Sequence, residues 1–280
     1  MKLDLHTHSY VSDGHLSPAA VVRAAAAGGL DAIALTDHDT AAGVLEAEEE
    51  ARHRGVKLIP GIEISTRHEA AELHILGYFI DPAAEAILRH QHSSFEQRQL
   101  RMRRMVAKLQ DLGVGIEFDE VVEAAGPDVS SIGRPHLARA LLKAGHTRYY
   151  GEAFLRYLSD EGPAFVVTHF PPVREAIDLI HAAGGLAVWA HPPPEMLEPE
   201  LNRFIGWGID GIECYRPAQT PAQSHLLEAT AKEFGLLCTG GSDWHGPQRA
   251  ALGDFYIRSS EIRGFLEAGA HRNPGWSAGR

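Results

Sequence analysis

Only two cysteines, Cys214 and Cys238, occur in 280 residues, so no disulfide framework is expected. Each lies in or beside an apolar strand-like run, where a buried free thiol is the ordinary state. No apolar run approaches the ~20 residues of a membrane span. The opening MKLDLHTHS lacks the charged, then apolar, build of a secretory leader and reads as a strand entering a motif, which makes a cytoplasmic location the default expectation. Basic residues are outnumbered, 26 against 37 acidic, so the chain has no global electrostatic footprint for nucleic acid. A phosphate-rich substrate would have to be attracted locally, by metal ions and a few arginines. Internal repeats and low-complexity stretches are missing too.

What remains is a chain with enough apolar residues to bury a sizeable core. Strand-like runs KLDL (2–5), AIALT (32–36), KLIPG (57–61) and LHILGYF (73–79) alternate with helical ones. After a break, LAVWA (186–190), GIECY (211–215), LLCTG (236–240) and DFYI (254–257) resume the pattern. This alternation predicts an α/β fold with a mainly parallel sheet. A barrel is favoured over an open sheet, because ligand-type residues end nearly every strand and barrel sites gather at that rim. The break divides the chain into a barrel domain, residues 1–95 and 171–280, and a helical insertion, residues 96–170. At the start of the insertion Phe95, the residue just before it, and Met102, Met105, Val106, Leu109 and Leu112 repeat at helical spacing. Arg98, Arg101, Arg103, Arg104 and Lys108 take the other faces, either as a solvated surface or as a rim that helps a polyanion approach. Two further helix-like pieces, EFDEVVEAAG and RPHLARALLKAG, follow, and HRNPGWSAGR ends the chain as a loose tail.

Nine imidazole and carboxylate residues sit at the ends of these runs: His6, His8, Asp13, His38, Glu63, His74, His191, Asp243 and His245. This is the donor set of Zn, Mn or Fe at a hydrolytic centre. Nine ligands are too many for one ion, and two or three adjacent ions clamp the attacking and leaving oxygens of a phosphoryl transfer. A metal-dependent phosphoesterase is the first inference. Taken singly the residues are less telling. His6 and His8 alternate and so can point the same way; Asp13, in the loop VSDG, could be a turn residue; Glu63, between Ile62 and Ile64, needs a partner that a buried salt bridge would also supply; His74 could be a core histidine. His191 precedes three prolines that hold the loop, and the glycines of GGSDWHG suit a close backbone approach.

The ordered set DLHTHS with SDG, LTDHD, GIEIS with LHILGY, AHP and GSDWHG resembles the PHP (polymerase and histidinol phosphatase) superfamily. The resemblance implies a distorted (β/α)7 barrel and a trinuclear site, with manganese the leading metal and zinc or iron as alternatives. It would place His6, His8, Glu63 and Asp243 on one ion, Glu63, His74 and His191 on a second, and Asp13, His38 and His245 on a third. In the insertion, SSIGRPHLARALL could simply open a helix at Ser130, Ser131 or Gly133, with Pro135 in its first turn. Its GRPH element also resembles the PHP subgroup of nucleoside 3′,5′-bisphosphate phosphatases, some of which trim RNA from its 5′ end. That likeness implies that Arg134 and His136, a bidentate donor and a second cation-capable group, bind substrate phosphate. The implied reaction removes the 3′-phosphate of a substrate such as pAp, by a metal-bridged hydroxide attacking in line while the ions and Arg134 neutralise developing charge. A nucleotide or short RNA 5′ end would be the partner, with no membrane and no obligate protein partner. Rivals are a histidinol-phosphate phosphatase or other small phosphomonoesterase, an amidohydrolase, for which none of the lysines is well placed as a metal bridge, and a non-catalytic module assisting a polymerase. His53, His68, His90, His92, His181, His225 and His271 are expected at solvated surface, His146 and His169 stay open, and Arg216 and Trp244 lie beside site motifs without an assigned role.

Overall fold

The computed structural model describes residues 1–69, 71–126, 129–248 and 250–273. Strands β1 (Lys2–Thr7), β2 (Ala32–Leu35), β3 (Lys57–His68), β4 (Ala71–Tyr78), β5 (Leu186–Trp189), β6 (Gly211–Tyr215), β7 (Leu237–Gly240) and β8 (Ile257–Arg258) form one sheet, ordered β7-β6-β5-β4-β3-β2-β1-β8. β1 to β3 run parallel, as do β5 to β7, while β4 is antiparallel to both its neighbours and β8 to β1. The sheet curls into a nearly closed barrel. His8 N–H donates to Trp244 O at 2.8 Å and Trp244 N–H to His6 O at 3.2 Å, joining the end of β1 to the segment after β7.

The α/β barrel read from the sequence is therefore present, with two local differences. β3 does not stop at Gly61 but runs on through Glu63 to His68 and folds back on β4, so that Ser65 faces His74. The last strand is shorter than DFYI, holding only Ile257 and Arg258. Period-2 alternation sets the layers. Ala32 and Ala34 of β2 pack with Leu3, Leu5 and Ile59, whereas Ile33 and Leu35 pack against Val21 and Val22 of α1 (Pro18–Ala27) and Ala47 of α2 (Val44–Arg54).

Between β4 and β5 come α3 (Glu85–Asp111), α4 (Phe118–Ala125), α5 (Arg134–Lys143), α6 (Tyr150–Ala153), a π-helical turn (Phe154–Leu158) and α7 (Val173–Ala182). Helices α8 (Pro194–Gly206), α9 (Pro221–Phe234) and α10 (Arg263–Arg272) complete the barrel's surround. The insertion has its own core, in which Met102, Met105, Val106 and Leu109 meet Val121, Leu137, Leu141 and Leu158. Phe95 and Leu112, expected on the same stripe, are exposed. The sequence boundary at residue 96 falls inside α3: Ile87 belongs to the barrel core and Gln91 accepts the Ala41 N–H. The polar run His90 to Ser94 had hidden the helix's first half. Of the expected tail, His271 and Arg272 end α10 and residues 274–280 lie outside the described residues.

Part of the supposed solvated face of α3 is buried. Arg98 is 8% exposed and donates through Nε and Nη2 to Asp39 Oδ2, with Nη2 also reaching Ser65 Oγ at 2.9 Å. His90 approaches the other oxygen of Asp39 at 3.0 Å. Burial would raise the Asp39 carboxyl, but the charges of Arg98 and His90 hold it well below the usual carboxylate range. Breaking one partner out of such a buried pair typically costs about 3–5 kcal/mol, so this contact pins α3 to the loop that carries His38. His68 likewise leaves the expected surface for Glu200, 2.8 Å away, while His181 stays partly exposed with Asp210 at 2.7 Å.

Candidate metal centre

All nine sequence-selected residues converge at one end of the barrel. His6 is the next-to-last residue of β1 and His8 follows directly after the strand, their ring centroids 5.2 Å apart. His38 follows β2, Glu63 and His74 lie on β3 and β4, His191 follows β5, and Asp243 and His245 follow β7. Gly241 makes the last approach possible, since a Cβ there would lie 2.4 Å from His6 Cβ. His191 and Asp243 have positive φ, 32° and 54°, a region that non-glycine residues enter mainly where surrounding structure and function require it.

Glu63 is the hub. Its Oε2 lies 3.1 Å from His6 Nε2, 3.2 Å from His8 Nε2 and 3.3 Å from His38 Nδ1. Its Oε1 lies 2.9 Å from His74 Nδ1 and 3.1 Å from His191 Nε2. Burial raises this carboxyl, but His6, His38 and His74 together hold it well below the usual range. Asp243 Oδ1 is 3.3 Å from His8 Nε2, and Asp13 Oδ1 is 3.2 Å from His245 Nε2.

These short approaches are not a satisfied hydrogen-bond network. His6 Nε2, both ring nitrogens of His8, His38 Nδ1 and Glu63 Oε2 are buried without a hydrogen-bond partner. Buried orphans of this kind are costly unless something else meets them. Among these nine residues, three groups have donor atoms close enough to share an ion: His6, His8, Glu63 and Asp243; His8, Asp13, His38 and His245; and His38, Glu63 and His74. His8 thus faces two groups, and His191 reaches the third through Glu63 and through His74, 3.2 Å away. The donor chemistry and the orphaned atoms fit divalent cations.

A ring of buried polar residues holds these donors in place. Glu213 Oε1 sits 2.9 Å from His6 Nδ1, and its Oε2 accepts the His191 N–H at 2.8 Å. Such a carboxylate fixes the tautomer that presents the far nitrogen to a metal. Asp37 takes the N–H and hydroxyl of Ser9 and the hydroxyl of Ser12, which sets the loop to Asp13. Sequence reading missed Glu213, although GIE in GIECY repeats the GIE of GIEIS: a carboxylate inside an apolar strand signals a partner in both. Arg216 borders the cluster, 3.5 Å from both Glu213 and Asp243. Trp244 is 5% exposed, and its indole N–H donates to Ala250 O.

Over the insertion, Arg134 and Arg101 each place a guanidinium 5.5 Å from the Phe165 ring. Arg134 donates to Leu158 O at 3.1 Å and to Asp160, an exposed carboxylate, at 2.5 Å. Arg101, expected at the surface, is 7% exposed; its Nε donates to Val166 O and its Nη2 is buried without a partner. Burial, with Arg134 adding repulsion, lowers Arg101 to about 10. Burial pushes His136 down to about 4, and its Nδ1 accepts the Gly133 N–H at 2.9 Å, which leaves a neutral ring with its proton on Nε2 as a donor.

No helix among the described residues is long and apolar enough to cross a membrane. The sequence profile of the PHP domain matches residues 4–115. The chain is 40% identical to the 5′-3′ exoribonuclease of Haemophilus influenzae, over 88% of this chain and 90% of that protein. It is 34% identical to the 3′,5′-nucleoside bisphosphate phosphatase of Chromobacterium violaceum, over 88% and 87%. A candidate metal-dependent phosphoesterase from Bifidobacterium adolescentis superposes with a TM-score of 0.86 at 33% identity, covering 95% of this chain and 96% of its own. With the nine donors in one place and likeness over nearly the whole length, the chain belongs to the PHP domain family.

Proposed function

We propose that this chain is a metal-dependent phosphoesterase that removes the 3′-phosphate of nucleoside 3′,5′-bisphosphates such as pAp and releases 5′-mononucleotides from the 5′ end of short RNA. The observation that carries the reading is Glu63 with five imidazoles around it and orphaned donor atoms on both sides. The relatives named for these two activities supply the substrate class.

In this reading three divalent ions are held. His6, His8, Glu63 and Asp243 hold one, Glu63, His74 and His191 a second, and Asp13, His38 and His245, with His8 close by, the third. Manganese suits the mixed imidazole and carboxylate set, and zinc and iron are the alternatives. Bound ions would acidify water and neutralise phosphoryl charge. The rest is the work of the chain. Glu213 orients His6 and the backbone at His191, and Asp37 sets the loop of Asp13. Arg134 and Arg101, with the Nε2–H of His136, hold the 5′-phosphate. A phosphate dianion would meet the unpartnered Nη2 of Arg101 and replace the exposed Asp160 on Arg134, an exchange that costs little because exposed ion pairs are weak. A cationic substrate such as histidinol phosphate gains nothing from two guanidiniums. A cytoplasmic location accompanies a nucleotide or RNA substrate.

The test is Arg134→Ala. For a nucleoside 3′,5′-bisphosphate the loss of a charged hydrogen bond, about 1.5–3 kcal/mol, should lower kcat/KM by roughly 10- to 150-fold, mostly through KM. For a 3′-monophosphate the change should stay within about 2-fold. Equal losses on both substrates would remove Arg134 from 5′-phosphate recognition.

A further inference from the structure

The three donor groups are not braced alike. His6 and His191 are steadied from within the barrel by Glu213 of β6. The group of His8, Asp13, His38 and His245 takes Asp13 from the loop between β1 and α1 and His38 from the loop between β2 and α2. Both loops are also gripped from the insertion. Arg139 of α5 reaches across and donates through Nη2 to the Asp13 carbonyl at 2.5 Å. Just ahead of that helix the Ser130 and Ser131 N–H groups both donate to Val11 O, at 2.7 and 3.2 Å. On the other loop Arg98 of α3 donates to the carboxylate of Asp39, the neighbour of His38. The Asp13 loop in turn carries His245 with it, because the His15 N–H donates to His245 O at 2.8 Å.

Resting on the three-ion reading given above, we propose that Arg139 and Arg98 are positioning residues through which the insertion decides whether the third ion, on Asp13, His38 and His245, is held. Each grips the chain beside a donor atom: a carbonyl in one case, a neighbouring carboxylate in the other. A loop left free to sample other conformations must be ordered when an ion binds, and that lost entropy is subtracted from the affinity. A guanidinium that fixes the loop beforehand removes the cost. Its charge works the other way, since a cation close to a second cation is disfavoured. The two effects have opposite signs. Loss of the third ion on removing Arg139 therefore reports positioning, and tighter binding would report charge alone.

The experiment measures Mn²⁺ per chain by mass spectrometry after dialysis, and Mn²⁺ affinity by titration calorimetry, on the intact wild type, Arg139→Ala and Arg139→Lys. Arg139 is the residue to change first because it is only partly buried, whereas removing Arg98 strands a buried carboxylate. The weakest of the three ions should bind about 10- to 100-fold less tightly in Arg139→Ala, with the other two unchanged. Arg139→Lys should recover part of the loss, and excess Mn²⁺ should restore kcat. In a His245→Ala chain, which already lacks a ligand of that ion, adding Arg139→Ala should change metal affinity by less than about 2-fold, because the two changes act on one site. Arg98→Lys is the second variant should Arg139→Ala fold poorly, and it should weaken the same ion. Equal weakening of all three ions overturns the inference, as does a third ion bound as tightly as in the wild type or more so. A wild type that never holds three ions overturns the three-ion reading together with it.

Discussion

Glu63→Gln is expected to leave a folded protein whose kcat for phosphate release is lower by at least ~10³-fold, equivalent to ~4 kcal/mol of transition-state stabilisation. The substitution keeps the shape and removes the charge. Glu63 is fully buried, and its two oxygens face different sets of imidazoles: His6, His8 and His38 on one side, His74 and His191 on the other. A neutral amide can offer only one of its two ends as an acceptor, so it cannot bridge two cations. The check is metal content by mass spectrometry beside steady-state kinetics: the variant should hold fewer ions per chain than the wild type. A variant that keeps both its metal content and its kcat would show that the imidazole cluster is a structural feature.

Stripping the metals with a chelator should have the other large effect, at least ~10³-fold on kcat, restored by Mn²⁺. A second readout does not depend on activity. Cations that bind only the folded chain stabilise it, by about 4 kcal/mol at a thousandfold excess over Kd, so the thermal midpoint should rise on adding Mn²⁺ and fall with chelator. The orphaned nitrogens of His6, His8 and His38 give the reason, since bound cations would meet donors that otherwise face one another in a water-poor interior. Glu63→Gln should blunt this rise. A midpoint indifferent to metal in the wild type would contradict the assignment.

Seven of the nine donors lie near a strand end or a glycine-bearing turn, signals local in sequence, while Glu63 and His74 sit inside β3 and β4, where a polar residue within an apolar run is the signal. Their supports were less legible. Glu213 could have been found from the repeated GIE, but Asp39 finds Arg98 59 positions away and His90 51 positions away, distances at which no periodicity speaks. For the same reason Arg98 and Arg101 passed for surface, because their acidic and carbonyl partners lie on other elements. The β3 extension was hidden because PGIEIS reads as a motif and also forms half of a hairpin with β4. Nor does sequence show that burial in the insertion lowers His136, because the residues that bury it come from other elements.

The most direct measurement is phosphate release by Mn²⁺-loaded protein from pAp, with 5′-AMP, 3′-AMP and histidinol phosphate in parallel. With Arg134 and Arg101 as the proposed 5′-phosphate site, kcat/KM for pAp should be at least ~100-fold above each of the others, about 2.7 kcal/mol of discrimination, because only pAp would present one phosphate to the metal cluster and another to those arginines. Comparable rates on all four, or a preference for histidinol phosphate, would contradict recognition of both phosphates.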